Sequence, residues 1–383
     1  MTLITKILQV CPTYYPQFGG VEEHVQKISE RLARKFEVTV ATTDPSGELP
    51  KEEVLNDVQV RRFKSWAPNA AYYFSGQLMA YLARNSRSFH LIHAHGYHSL
   101  PALYAALTKG PNRFVFTSHY HGTGHTFVRS MFHIPYKFVG RRIFSKADAV
   151  VCVSRHEMAL ILERFRIDRR KITIIPNGID FREFEKIARN SKDPRVVLYV
   201  GRLEEYKGID HLIEVLPRLH DDMRLEVVGT GPHASALAQL AEKVRVKDRV
   251  RFYGDLPREQ LLRKYAQAGV FVSLSRHEAF GIGVAEALAA GTACIVANTS
   301  ALQEWIDNKN CFGIDLPVKI PQLAHVITMV SGRTVCPVHL TTWDDVVERL
   351  IRLYEKLCDE SEHDPSRDGE SRRRSGGVGT LPR

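Results

Sequence analysis

The chain has 383 residues, with apolar types at 44% and charged types at 25%. That length exceeds what one hydrophobic core usually organises, so two domains are expected, and the composition excludes a fibrous or wholly disordered chain. The net charge is +10, which would suit phosphorylated small molecules, acidic lipid or nucleic acid, but five of the arginines lie between Arg367 and Arg383.

That Ser-, Gly- and Arg-rich tail, residues 359–383, has the composition of a disordered segment and raises the charge without describing a folded surface. No zinc-finger or RNP-like motif supports nucleic-acid binding. No apolar run approaches the roughly 18 residues of a membrane span. The start, Met1-Thr2-Leu3-Ile4-Thr5-Lys6, lacks the layout of a signal peptide. The six cysteines are scattered without a CxxC. Neither a disulfide framework nor a zinc knuckle is indicated, and a reducing cytoplasm is the expected location.

Short apolar runs alternate with helical segments, which predicts parallel sheets flanked by helices. Ile7 to Val10 reads as a strand, followed by a Pro- and Gly-containing loop and a helix from about Val21 to Lys35. Val25, Ile28 and Leu32 share one face of that helix. Further strands are expected at Val38–Val40, Leu91–Ile92, Phe114–Phe116 and Ala149–Val153, and the first half ends near Ile172 to Pro176. The alternation restarts with a strand at Val196–Val200 and a helix from about Ile209 to Leu219. Strands follow at Leu225–Val228, Val250–Phe252, Val270–Leu274 and Cys294–Val296, and a last helix covers about Trp343 to Leu357. The expected fold is therefore α/β, with two consecutive Rossmann-like domains at residues 1–180 and 190–340 and a closing helical segment at 341–358. In such sheets ligands bind beyond the C-terminal strand ends, so the loops just after the strands are where chemistry is sought.

The segment from Ser273 to Ala287 runs from a strand into a helix and carries two carboxylates, Glu278 and Glu286. A retaining glycosidase pair would need its carboxyl groups about 5–5.5 Å apart. Eight residues of mostly helical chain would instead separate the backbones by roughly 12 Å. The pair is better suited to gripping two parts of one elongated ligand. Solvated helix carboxylates are the ordinary alternative, but Phe280, Ile282, Val284, Ala285 and Ala287 make this segment look buried. The backbone N–H groups of Phe280, Gly281 and Ile282 could hold hydroxyls or phosphate at a helix start. Arg202 and Lys207 follow a strand and precede a helix, a position suited to a diphosphate. Neither a P-loop nor a GxGxxG fingerprint is present, and Gly229-Thr230-Gly231 alone is weak.

Four segments in register resemble glycosyltransferase family 4, of the two-Rossmann-domain GT-B fold. They are Gly19-Gly20-Val21-Glu22, Pro176-Asn177-Gly178-Ile179-Asp180, Gly201-Arg202 with Lys207-Gly208, and Glu278 with Glu286 followed by Ala290-Gly291-Thr292. The resemblance extends to about residue 355. It implies a retaining, metal-independent transferase that uses a nucleotide sugar (UDP- or GDP-linked) as donor substrate and no other cofactor. Arg202 and Lys207 would bind the donor diphosphate, Glu286 the ribose and Glu278 the sugar hydroxyls. The backbone from Phe280 through Gly281 and Ile282 to Gly283 would hold the sugar and β-phosphate. Gly19 and Gly20 would let the first loop approach the phosphates, and His119 would lie near the transferred sugar. The last helix, with Trp343 and Tyr354, would cross back onto the first domain.

The acceptor would be a hydroxyl of a lipid carrier, a glycan or a soluble phosphorylated compound. Other readings are a GT-B-like phosphorylase or epimerase, a catalytically dead sugar-binding relative, or a nucleic-acid-binding protein. Departures from the family pattern are Ala293 in place of proline, and Ala301-Leu302 in place of a Gly-Gly pair before Gln303-Glu304.

Histidines cluster at His93, His95, His98, His119, His121 and His125. No cysteine or carboxylate accompanies them at a zinc-ligand spacing, so no metal is expected and an imidazole-lined cleft is. The stretch from Phe127 to Lys146 mixes Phe132, Phe138 and Phe144 with Arg129, Arg141 and Arg142. It reads either as a basic helix on an anionic membrane surface or as a core-facing helix with a solvated basic side.

Overall fold

The computed structural model describes residues 4–362 apart from 18, 69–71, 123–126, 186, 188–191, 334 and 337. Of the tail expected to be disordered, residues 359–383, the structure continues the last helix through Glu362, because the apolar face of that helix carries it past Leu357, and the remainder lies outside the described residues.

The first sheet contains β1 (Lys6–Val10), β2 (Glu37–Asp44), β3 (Glu52–Leu55), β4 (Val58–Lys64), β5 (Leu91–His95), β6 (Arg113–Thr117), β7 (Ala149–Cys152) and β8 (Ile172–Ile174). Its order is β3-β4-β2-β1-β5-β6-β7-β8. Around it lie α1 (Gly20–Leu32), α2 (Gly76–Asn85), α3 (Leu100–Thr108), α4 (Phe127–Lys146) and α5 (Arg155–Phe165). A short α6 (Phe181–Glu185) leads to the second sheet, made of β9 (Asp193–Val200), β10 (Arg224–Val228), β11 (Val250–Phe252), β12 (Ala268–Ser273), β13 (Cys294–Ala297) and β14 (Cys311–Ile314). That sheet has the order β11-β10-β9-β12-β13-β14 and is parallel throughout. Its helices are α7 (Ile209–Val215), α8 (Ala234–Lys243), α9 (Arg258–Gln267), α10 (Ile282–Ala289) and α11 (Ile320–Val330), and α12 (Trp343–Glu362) closes the chain.

Two further sequence expectations need correction. The first sheet is not wholly parallel, because β3 pairs antiparallel with β4 across a tight turn at Asn56 and Asp57. Both turn residues have positive φ, 48° and 65°, the geometry a two-residue hairpin demands. The helix expected to reach Leu219 ends at Val215, followed by a tighter 3₁₀ turn over Leu216–Arg218 that contains Pro217.

Both sheets are sandwiched. Every residue of β12 is buried, with Val270 and Val272 packing on the α7 and α11 side and Phe271 on the α10 side. On the first sheet, Ile7, Val38 and Val40 share one core with Val25 and Ile28 of α1 and with Trp343, Val346, Leu350, Tyr354 and Leu357 of α12. Helix α12 thus returns from the second unit to cover the first sheet. Burying each of its large apolar side chains contributes roughly 1.5–3 kcal/mol. Arg31 pins the crossing, reaching Asp344 at 3.0 Å and Asp180 at 3.2 Å. Among the described residues no helix is long and apolar enough to cross a membrane.

In each sheet the strand order reverses once beside its first strand: between β1 and β5, and between β9 and β12. These switch points open crevices at the C-terminal strand ends.

Candidate active site

The loops after β9 and β12 meet at the second switch point. After β9, Lys207 closes a 3₁₀ turn and Gly208 starts α7 at φ 69°, where a Cβ would lie 2.8 Å from the Leu274 carbonyl oxygen. Only glycine tolerates both that φ and that approach. Lys207 Nζ donates to Glu278 Oε1 at 2.5 Å, and both side chains are largely buried. Burial alone would lower the Lys207 pKa. The Glu278 carboxylate, with Tyr206 and Tyr199, more than offsets this and holds the ammonium above its usual range. Arg202 differs: its side chain is 67% exposed and, among the described residues, its ion pair is with Glu204 at 3.0 Å, so its fork stays accessible to an anion.

Glu278 sits in the loop before α10, whose first residue is Ile282, so only half of the Glu278–Glu286 spacing is helical. Gly281 precedes that helix at φ 90°, with Leu302 where a Cβ would point. The Trp305 indole N–H donates to the Phe280 carbonyl at 2.7 Å, and the Glu278 backbone N–H donates to Ser300 Oγ at 3.2 Å. The loop is therefore held from behind.

Glu286 is buried within α10, and its carboxylate accepts from Arg258 Nη1 of α9. Arg258 also donates to Glu183 at 2.8 Å, which in turn accepts from Lys27 of α1 at 2.8 Å. Glu23 of α1 joins this group. Burial first, then the Glu286 charge, raises its pKa to about 7, while Arg258 and Lys27 pull the other way. This network spans both halves of the molecule. Sequence reading missed Arg258, Glu23 and Glu183, which share no motif and meet only in three dimensions.

The N-terminus of α1 faces the same crevice. Gly19 is its N-cap in an extended conformation; the Glu22 carboxylate folds back to where a Gly19 Cβ would be, while nothing lies within 4 Å of where a Gly20 Cβ would be. The first-turn backbone N–H groups suit an anion, and the Glu22 carboxylate, hydrogen-bonded to its own backbone N–H, already stands against them. Thr13 Oγ1 donates to Glu22. Burial raises the Glu22 carboxyl, and Arg202 across the crevice opposes that shift.

His119 lies on the loop after β6 with φ 49°, a strained value for a non-glycine residue. Glu157, fully buried on α5, accepts from Ser118 Oγ at 2.5 Å and from the Tyr120 backbone N–H at 2.6 Å, on either side of His119. It also accepts from the Val153 N–H at 2.6 Å. Burial pushes the Glu157 carboxyl up to about 7 despite these donors. Sequence analysis missed Glu157 too.

The imidazole-lined cleft is corrected in part. His93 and His95 lie on one face of β5 but are 0% exposed, with His93 against Tyr354 of α12 and His95 against His24 and His119. His93 bonds Tyr354 at 2.6 Å and Thr117 at 2.7 Å. His125 lies outside the described residues. The grouping that could hold a metal is a different one, His24, His95 and His119.

Helix α4 buries Tyr136, Ile143 and Phe144 in the first domain's core and leaves Arg141, Arg142 and Phe138 outward. The side chains of residues 127–135 lie outside the described residues. Glu304 bridges the two halves, accepting from the Arg155 and His156 N–H groups of α5 at 3.2 and 2.7 Å. It borders a cavity of ≈ 300 Å³ between the halves, where Arg155, His339 and Arg349 also lie.

Two sheets with facing switch points, joined by a returning C-terminal helix, define a GT-B glycosyltransferase fold. Solved structures agree. Sucrose-phosphate synthase from Thermosynechococcus elongatus superposes with a TM-score of 0.71 at 21% identity, covering 92% of this chain and 99% of that one. Anabaena HepE in complex with UDP and glucose gives 0.72 at 15% identity, covering 92% and 100%. The "Glycosyltransferase Family 4" model matches residues 18–183 and the "Glycosyl transferases group 1" model residues 180–331. The chain belongs to glycosyltransferase family 4. Among curated proteins it is 23% identical over 390 residues to the phosphatidylinositol N-acetylglucosaminyltransferase GPI3 subunit of Saccharomyces cerevisiae, covering 94% of this chain and 84% of that protein.

Proposed function

We propose that the chain is a retaining glycosyltransferase that moves a hexose-like sugar from a UDP- or GDP-linked donor to an acceptor hydroxyl, with no metal ion or other cofactor in the transfer step. The carrying observation is the buried Lys207–Glu278 pair at the second switch point, with the exposed Arg202 beside it. The site offers two cations for a diphosphate, a glycine approach at the start of α1, and two separated carboxylates for the hydroxyl groups at either end of the donor.

In this reading Lys207 and Arg202 take up the charge that develops on the departing nucleoside diphosphate. Glu286, oriented by Arg258, accepts from the ribose hydroxyls. Glu278, oriented by Lys207, accepts from the sugar hydroxyls, and the N–H groups of Phe280 to Gly283 hold the β-phosphate. Gly19 and Gly20 admit the phosphates to the start of α1. His119, uncharged at neutral pH because burial lowers its pKa, lies against the sugar. The acceptor hydroxyl attacks the anomeric carbon from the face that the phosphate leaves. Its oxygen forms the new C–O bond, the C–O bond to phosphate breaks, and the leaving phosphate oxygen takes the acceptor proton. Same-face substitution retains the configuration.

The name of the yeast relative makes a phosphatidylinositol-type lipid the first acceptor to try, and the UDP and glucose bound to HepE make a UDP-sugar the first donor. Lys207→Ala should lower turnover by roughly 10²–10³ and weaken nucleotide binding. Unchanged turnover would refute the assignment.

A further inference from the structure

Three imidazole nitrogens converge beneath the first switch point with no hydrogen-bond partner among the described residues. They are His24 Nε2 from α1, His95 Nδ1 from the end of β5, and His119 Nε2 from the loop after β6. One ligand atom from each of these residues lies within 4.8 Å of the others. The ring centroids are 4.9, 5.5 and 6.2 Å apart, so rings from three elements pack against one another.

The second nitrogen of two rings is already committed. His24 Nδ1 faces the Asn177 amide oxygen at 2.9 Å, and His95 Nε2 faces that of Gln9 at 2.7 Å. An amide oxygen only accepts, so each of these nitrogens carries the proton. The inward nitrogens of His24 and His95 are therefore bare lone pairs, the tautomers that ligate a metal. Burial supports the neutral form: His24 is lowered to about 4, and His95 and His119 fall well below the usual imidazole range.

Converging lone pairs repel, and each buried acceptor without a donor costs about 1–3 kcal/mol. A single water satisfies the cluster only if the His119 proton sits on Nε2; with that nitrogen bare as well, one cation satisfies all three.

We propose that His24, His95 and His119 form a three-histidine site for a divalent transition metal of the zinc class, with its fourth position open toward the crevice. Neutral imidazoles without a carboxylate favour zinc, cobalt, nickel or copper over magnesium or calcium, which take oxygen ligands. Metal–nitrogen bonds of about 2.0–2.1 Å put tetrahedral ligand nitrogens about 3.4 Å apart, so the ligand atoms, now within 4.8 Å of one another, need to close by up to about 1.4 Å. His93, with both nitrogens bonded, stands outside the ligand set.

Such a metal would also claim His119. On the functional reading above, zinc then inhibits transfer by competing with the donor sugar, and removing zinc does not. Binding itself needs no donor, so its outcome is independent of that reading.

The test is a titration of the full-length, metal-stripped chain with Co²⁺ and then Zn²⁺, without any sugar nucleotide. The expected result is one equivalent of Co²⁺ with tetrahedral-type visible absorption that Zn²⁺ bleaches. His24→Gln and His95→Gln should each abolish that spectrum. Asn177→Ala, which leaves all three ligands in place, should weaken affinity by about 10–100-fold. Absence of the spectrum in the wild-type chain overturns the proposal. So does a spectrum unchanged in either imidazole variant, because the metal then sits on other histidines. If neither imidazole variant folds, Asn177→Ala decides, and affinity equal to wild type counts against the site.

Discussion

Among the described residues, Arg258 is the cation that touches both Glu286 and Glu183 while opposing the charge on Glu23. Replacing it with alanine leaves three carboxylates facing each other, with only Lys27 to compensate. Removing one partner of a fully buried pair costs about 3–5 kcal/mol. The Arg258 side chain is 37% exposed, so water screens part of the loss. A cost of about 2 kcal/mol, within the range for hydrogen bonds to charged groups, is the expected result. Thermal unfolding monitored by circular dichroism should show a drop of several degrees in Tm.

The pH dependence gives the sharper check. The folded-state pKa of Glu23 is raised to about 7, so its contribution to stability is full below the ordinary carboxylate range and is lost as pH rises through about 7. Arg258 opposes that shift, so without it the loss grows, and the deficit of Arg258→Ala should be larger at pH 8 than at pH 6. Glu23→Gln in the Arg258→Ala background should recover part of the Tm. Equal deficits at both pH values together with no recovery would refute the electrostatic account of this network.

Gly281→Ala should destabilise the chain by about 1–3 kcal/mol, because φ 90° is strained for any residue with a Cβ and Leu302 must also give way. Denaturant unfolding measures this, and a cost near zero would show that the loop before α10 can relax. Transfer activity should survive EDTA, since the proposed chemistry routes no step through a metal. Complete loss of activity that returns only with added metal would contradict that mechanism.

The sequence makes the fold legible where the chemistry is local. Buried parallel strands read as continuous apolar runs, as in Ala149–Cys152 and Val270–Ser273. The β3–β4 hairpin was overlooked because its signal is an Asn56-Asp57 turn between half-exposed strands, without a long apolar run. The site divides in the same way. Glu278, Lys207 and Gly281 stand in short motifs next to strand ends, and the structure brings Lys207 and Glu278 into contact. Arg258, Glu157 and His24 come from helices whose sequences look ordinary. Arg258 orients Glu286 from the neighbouring helix, and Glu157 clamps the His119 loop from its own burial site. The i, i+2 histidines drew attention to β5, but the ring that completes the cluster belongs to α1, 71 positions before His95.

The central claim is that one nucleotide sugar lies between Arg202, Lys207, Glu278 and Glu286. A thermal-shift screen of UDP-, GDP- and ADP-sugars tests it most directly. A matching donor at 100 times its Kd adds about 2.7 kcal/mol of stability, a rise of several degrees in Tm. The account predicts such a rise for one donor class with the wild-type chain, and its loss in Lys207→Ala and Glu286→Ala. No shift with any of these donors, or a shift that persists in both variants, would contradict it.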